Sequence, residues 1–367
     1  MVSYNKPLAL KSGVTLKNRI MMAPMTTKLS FYDGVVTQDE LAYYRLRSGE
    51  VAAVITAASN VQAIGKGWEG ELSIASDAMI ERLSELAATI KVNGTKAFIQ
   101  LFHAGRMTNS KILRGETPVS ASAIKAERPQ AELPRSLLTK EVYQVIEDFK
   151  LATIRAIKAG FDGVELHGAN TYLLQQFFSP HSNRRTDIFG GSLEKRYHFI
   201  DLLTDEVIQT VKTHADRPFA IGYRFSPEEL EEPGIKFSDT LFLVDKLADK
   251  SLDYLHVSLP DYTKISMQAD YKEKTILTYL NETIHGRIPL IGVGNVRTET
   301  DVKAVLEQAS LVAVGRFLIL DPNWTIKIMT HKEHLIRREV TRAEGKTLLI
   351  GNGLWEFLDV SMKDRIK

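Results

Sequence analysis

Gly163-Val164-Glu165-Leu166-His167-Gly168-Ala169-Asn170-Thr171-Tyr172 is the stretch on which the fold turns. A short apolar run opens it, and three polar groups of catalytic type, His167, Asn170 and Tyr172, close it. Strands buried on both faces are nearly continuous in apolar residues rather than alternating. Polar chemistry placed directly beyond such a strand fits a parallel barrel, whose reacting groups stand at the carboxyl ends of the strands. The segment runs on through Leu173 to Pro180, then Asn183-Arg184-Arg185 and Gly190-Gly191-Ser192-Leu193-Glu194-Lys195-Arg196.

Working outward, apolar or β-branched runs recur at 20–23, 53–56, 97–101, 163–166, 219–223, 254–258, 290–293 and 311–315. Helical patterns lie between most of them. One spans 77–93 with Met79, Leu83, Leu86 and Ile90 on a stripe; another spans 139–159 and stops at Gly160, a natural helix C-cap. Thr37-Gln38-Asp39-Glu40 has the form of a capping box opening the first helix. Eight buried strands alternating with helices give an α/β fold, a single-domain (β/α)8 TIM barrel. No linker rich in Pro, Gly or Ser divides the chain. Residues 1–322 are expected to form the barrel, and residues 323–367 a C-terminal helical extension packed on it. Its aromatic end, Trp355, Phe357 and Leu358, suits either the barrel flank or an arm to a second copy in a homodimer or tetramer. Long connections after the third strand (104–138) and the sixth (259–271) are lid candidates, because long βα loops cover the active face.

Composition narrows the chemistry. With 44% hydrophobic and 25% charged residues and a net charge of +2, the 367-residue chain carries no field that calls for nucleic acid or an anionic membrane. The expected partner is a small molecule. The chain has no cysteine, so disulfides, thiolate metal sites and a Cys nucleophile are excluded from the protein itself. No metal site is expected, because His103 has no companion at ligand spacing. The N-terminus lacks a basic segment followed by an apolar core, and no run approaches membrane-spanning length, so a cytoplasmic location is expected.

The last two strands end in Gly292-Val293-Gly294-Asn295 and Gly315-Arg316. Loops after strands seven and eight are where barrels bind phosphate: glycines admit close backbone N–H groups and a helix start adds positive potential, with Arg316 available as a clamp. His167 and Asn170 share an i, i+3 spacing, and on a helical turn they could direct two donors at one carbonyl oxygen. Tyr172 could supply a proton, since its phenol is protonated at neutral pH.

Together these residues resemble the Old Yellow Enzyme family, the flavin-dependent NAD(P)H:ene oxidoreductases, and the resemblance runs from Lys17-Asn18-Arg19-Ile20 through Gly315-Arg316. It implies bound FMN, with NADH or NADPH as hydride donor. It implies ping-pong reduction of the activated C=C bond of an α,β-unsaturated carbonyl compound, through flavin N5. The alternative acceptors are quinones or other electrophiles, and a non-enzymatic FMN-binding sensor is the remote alternative. Carried across position by position, Ala23, Pro24, Met25 and Thr26 lie against the flavin, and Ala58 is the small residue that the ring approaches. Gln100 binds the pyrimidine edge, and Arg224 sits beside the flavin N1–C2=O end. Gly294, Asn295, Gly315 and Arg316 cradle the phosphate; His167 and Asn170 bind the substrate carbonyl; Tyr172 donates the proton. Thr171 replaces the family's usual Gly, which makes a positive φ harder to adopt there and leaves the aim of Tyr172 open.

Overall fold

The structure is a computed structural model and describes residues 3–367. Its eight barrel strands are β1 (Ile20–Met22), β2 (Ala53–Asn60), β3 (Lys96–Phe102), β4 (Gly163–Gly168), β5 (Ala220–Phe225), β6 (Tyr254–Val257), β7 (Leu290–Val293) and β8 (Leu311–Val314). Each pairs in parallel with the next, and β8 returns to β1 with Val312 opposite Ile20, so the sheet closes into a (β/α)8 barrel. All eight expected runs are strands. β2 extends four residues beyond its expected end, past a register shift between Ile55 and Ala58 that is fixed by the Ala57 N–H donating to the Tyr44 hydroxyl (2.7 Å). Its polar end, Ser59-Asn60, gains a partner in Leu72–Ser73, a pairing that local sequence does not announce.

Alternation along each strand sorts the core. Val54, Ile99, Leu166, Tyr223 and Val312 join the main cluster with the helices, whereas Met21, Ala53, Phe98, Tyr254, Ile291 and Ala313 form a separate cluster inside the barrel. An N-terminal hairpin, Leu8–Ala9 antiparallel to Thr15–Leu16, adds Leu10, Val14 and Leu16 to this inner cluster and seals the amino end of the barrel. Gly222 is required here: a Cβ would stand 2.1 Å from the Tyr254 ring.

The surrounding helices are α1 (Gln38–Arg47), α2 (Ile80–Ile90), α3 (Thr139–Lys158), α4 (Leu173–Phe178), α5 (Leu193–His214), α6 (Phe237–Ala248), α7 (Ile276–Ile284) and α8 (Glu299–Leu306). Three more follow β8: α9 (Arg316–Leu320), α10 (Trp324–Met329) and α11 (Asn352–Ser361). Among the described residues no helix is long and apolar enough to cross a membrane. α3 begins where expected and Gly160 takes φ +81° just beyond its end. The expected 77–93 helix is instead α2 between two 3-10 turns, with Asn93 left-handed at φ 50°. At α1, Thr37 accepts the Glu40 N–H, but the box does not close. The Glu40 carboxyl turns inward to the hydroxyls of Thr27 (3.1 Å) and Ser30 (2.6 Å), because these lie on the segment that crosses beneath it.

The two long loops are pinned rather than free. Gln176 on α4 accepts from Arg106 N (3.1 Å) and Ser120 Oγ (3.0 Å) and donates to Ala104 O (3.1 Å), fastening the loop after β3. The loop after β6 is fastened by Tyr262, whose hydroxyl donates to Asp301 (3.0 Å) and whose N–H donates to Gly294 O (3.1 Å). The tail packs on its own barrel. Trp355 and Leu358 are buried, the backbones of Gly351 and Gly353 press on Leu29 and Lys28, and Lys28 pairs with Glu356 (3.1 Å).

Candidate active site and cofactor cradle

Register assembles the site. His167 on β4, Arg224 on β5 and His256 on β6 are direct cross-strand partners, forming one rank at the carboxyl end of the barrel. One layer below, Gln100 on β3 stands beside Glu165 on β4. The Glu165 carboxylate is fully buried, receiving Gln100 Nε2 (2.7 Å) on one oxygen and His256 Nδ1 (2.9 Å) on the other. Burial alone would raise its pKa, but His256, Arg224 and Gln100 together outweigh burial and hold it below the ordinary carboxylate range. His256 is lowered by burial despite Glu165, so the ring is neutral and the contact is a charge-assisted hydrogen bond, with Arg224 the cation that balances Glu165. Gln100 spends its NH2 on Glu165, which leaves its carbonyl oxygen for a ligand N–H.

His167 is buried, and its pKa is driven well below the usual value by desolvation and then by Arg224 and His256. Its Nδ1 accepts the Ala169 N–H (3.4 Å), which places the proton on Nε2 and makes the neutral ring a donor. Asn170 reaches the same end of the barrel, but not on a helical turn: it is left-handed, at φ 56°. Its N–H donates to Ser226 Oγ (2.8 Å), and its Oδ1 accepts from Ser258 Oγ (3.0 Å), which also accepts from Arg224 (3.2 Å). The amide NH2 of Asn170 therefore remains for a ligand oxygen.

Thr171 departs from expectation. It does take a positive φ, +66°, a strained conformation for a β-branched residue. The surroundings enforce it: its N–H donates to Gln175 Oε1 (3.0 Å) and its carbonyl accepts Gln176 Nε2 (2.6 Å). This sets Tyr172, whose ring lies edge-on to His167 with centroids 5.0 Å apart and against Phe102 at 4.6 Å. Burial and then the nearby Glu71 push the Tyr172 phenol up to about 12, so it holds its proton throughout the physiological range. Ala58 joins Phe102, Ala104, Trp68 and Tyr172 in an apolar cluster beside this ring.

A neighbouring cavity of about 190 Å³ is lined by Ala23, Pro24, Met25, Arg224, Gly294, Asn295, Gly315 and Arg316 among others. It brings together all the expected cofactor residues except Thr26, Ala58 and Gln100. Asn295 contributes main chain only, since its side chain is tied to Asp261 (2.7 Å) and Arg297 (2.7 Å). Gly294 has φ +119°, and a Cβ there would stand 2.7 Å from Asp261 N, so only glycine admits this turn. Arg224 Nε is buried with no partner among the described residues, which fits a ligand acceptor completing its shell. The polar groups, guanidinium donors and glycine turns at one end and the accepting amide oxygen of Gln100 at the other, fit FMN. Sequence reasoning missed the Glu165–His256 pair, although Glu165 sits inside the stretch that decided the fold. It also missed Arg297 and the tail residues Met362, Asp364 and Arg365, which line the same cavity and carry no motif.

Known proteins bear on this arrangement. Residues 4–334 match the NADH:flavin oxidoreductase / NADH oxidase family. A probable NADH-dependent flavin oxidoreductase of Bacillus subtilis is 42% identical over 96% of this chain and 95% of its own. NADH:acrylate oxidoreductase of Vibrio harveyi is 42% identical over 97% of this chain, which spans only 36% of that protein. NADH:fumarate oxidoreductase of Klebsiella pneumoniae is 41% identical over 96% of this chain, which spans 38% of it. Among solved structures, morphinone reductase in complex with tetrahydroNAD superposes with a TM-score of 0.78 at 27% identity, covering 90% of this chain and 92% of that one. With a closed barrel, a set of polar groups that suits FMN and the Bacillus subtilis relative matched along nearly its whole length, the chain belongs to the NADH:flavin oxidoreductase / NADH oxidase family, the Old Yellow Enzymes, and is an NAD(P)H-dependent FMN oxidoreductase.

Proposed function

We propose that the enzyme reduces the activated C=C bond of α,β-unsaturated carbonyl compounds. The observation that carries this reading is the protonation pattern at the mouth: a neutral His167 with its proton on Nε2, and a Tyr172 phenol held protonated beside it. FMN, when bound, would supply the hydride-transfer chemistry that links NAD(P)H to the acceptor. Gly294, Asn295 and Gly315 would offer main-chain N–H groups to its phosphate and Arg316 a cation. Ala23, Pro24, Met25, Thr26 and Ala58 would pack on its ring, Gln100 would accept from its pyrimidine edge, and Arg224 would stabilise negative charge at the far edge. His167 Nε2–H and the Asn170 amide NH2 would both donate to the substrate carbonyl oxygen, and their donation strengthens as that oxygen gains charge in the transition state. The Tyr172 phenol would give its proton to the α-carbon. The Phe102, Trp68 and Tyr172 rings pack against one another at this end of the pocket.

Replacing His167→Ala together with Asn170→Ala is expected to lower cyclohexenone turnover at least about 100-fold while the protein stays yellow and NADH still bleaches it. Retained flavin with an unchanged enone rate would refute the assignment.

A second reading has an observation of its own. The acrylate and fumarate oxidoreductases are nearly three times as long as the part this chain matches, so their C=C chemistry need not reside in that part. On this reading the chain is an NADH-oxidising unit that passes electrons to a quinone or another electrophile. Equal quinone turnover by wild type and Tyr172→Phe, with no enone turnover in either, would select it.

A further inference from the structure

The last six residues of the chain do not trail into solvent. Met362 is buried, its N–H donates to Leu358 O at the end of α11 (2.8 Å), and Arg365 N donates back to Met362 O (2.8 Å). Val340 N then donates to Arg365 O (2.9 Å), and Lys367 N to Val340 O (3.0 Å), a short parallel bridge that fixes the strap against the segment between α10 and α11. The strap lies over the cavity described above, and Met362, Asp364 and Arg365 form part of its wall.

The charges of that wall are uneven. Arg224, Arg297, Arg316 and Arg365 line it, with Asp364 the sole carboxylate. Asp364 pairs with Arg365 through Nε (3.0 Å), which orients the guanidinium and leaves its two terminal nitrogens without a partner among the described residues. Arg297 likewise uses only Nε, on Asn295 (2.7 Å), and Arg316 uses one nitrogen, on Pro260 O (3.2 Å). Arginine forks held by one nitrogen and open at the others are suited to a tetrahedral dianion, which accepts several charge-assisted hydrogen bonds at once.

We propose that Arg365 is a cofactor ligand: the C-terminal strap closes the FMN site from its own subunit, and Arg365 binds the ribityl phosphate opposite Arg316. The inference rests on the reading of Gly294, Asn295, Gly315 and Arg316 as the phosphate cradle. It gives the tail a role in the chemistry of the site that helix packing alone would not. Because the strap is anchored through α11 to Lys28 and Leu29, it also ties the phosphate end to the segment following β1.

The test compares two flavins that differ only in the phosphate. Full-length protein stripped of flavin is titrated with FMN and with riboflavin, following flavin fluorescence, for wild type, Arg365→Ala, Arg365→Met and Arg316→Ala. Arg365→Met keeps the aliphatic stem and serves if the alanine variant melts early. Both Arg365 variants are expected to bind FMN about tenfold to a hundredfold more weakly and riboflavin within about twofold of wild type. If Arg316→Ala loses FMN selectively and the Arg365 variants do not, Arg365 is no ligand and the cradle stands. If the Arg365 variants lose FMN and riboflavin equally, the strap only shapes the pocket and the proposal fails. If no variant separates the two flavins, the phosphate lies elsewhere and the cradle reading falls with it.

Discussion

Two buried glutamates, Glu165 in the barrel mouth and Glu40 on its flank, show how partners decide the fate of a carboxyl group. Both are fully enclosed. Glu165 receives a neutral imidazole and an amide, with a guanidinium close by, and stays ionised. Glu40 receives only two hydroxyls, and burial raises its pKa to about 7 despite them. Dipoles alone did not offset desolvation; a nearby cation added to them did. The mouth therefore keeps a fixed negative charge below the rank of His167 and Arg224, while the flank carries a group that changes charge near neutrality.

The sharpest way to break this contrast is Glu165→Ala. It strands Arg224 without its balancing charge and leaves Gln100 and His256 unpartnered, and is expected to cost about 3–5 kcal/mol of stability in urea unfolding. A loss below about 1 kcal/mol would mean that the charge matters little. The pH dependence of stability separates the two carboxyls by sign. Glu40, with its folded pKa raised from 4.5 to about 7, favours the folded state at low pH, and that contribution is lost as pH rises from 4.5 through 7. The loss approaches about 3 kcal/mol by pH 8, and Glu40→Gln should remove it, flattening the stability profile over that window. Glu165, with its folded pKa lowered, contributes in the opposite sense: its stabilisation is present above the ordinary carboxylate range and disappears on acidification. An Glu40→Gln protein whose profile matches wild type would dissolve the distinction. The smallest effect is expected at Thr171→Gly, which relieves the left-handed strain beside the mouth and should raise stability by up to about 1 kcal/mol. The backbone hydrogen bonds to Gln175 and Gln176 survive in glycine, so if Thr171→Gly lowers stability, the extra freedom of glycine in the unfolded chain outweighs the strain relieved.

These details also mark the boundary of what a sequence makes legible. The eight strands were readable because burial on both faces writes itself as local apolar runs, and Gly160 and Thr37 because turns and caps are local chemistry. The position of His167, Asn170 and Tyr172 at the carboxyl end of the barrel was readable from their place after β4. The inward turn of Glu40, the left-handed Thr171 and the approach of Arg365 to the cavity lined by Arg224 and Arg316 were not. Each depends on contacts with other parts of the fold, and no periodicity records them. Arg47 is an extreme case: its buried guanidinium donates to Leu318 O (3.0 Å), Ile319 O (3.1 Å) and Leu348 O (2.8 Å), some three hundred residues downstream. From its own neighbourhood it reads as a solvent-facing helical residue.

The pairing of Ile20 with Val312 has a consequence for how the molecule is made. An emerging chain would expose the open edge of β1 until β8 leaves the ribosome, about 15–60 s later at ordinary elongation rates of about 5–20 residues per second. For that interval the nascent half-barrel carries a bare strand and an uncovered apolar lining, the hazards that invite association with other chains. Production of this enzyme should therefore be limited less by the stability of the finished barrel than by what shields its first strand during translation.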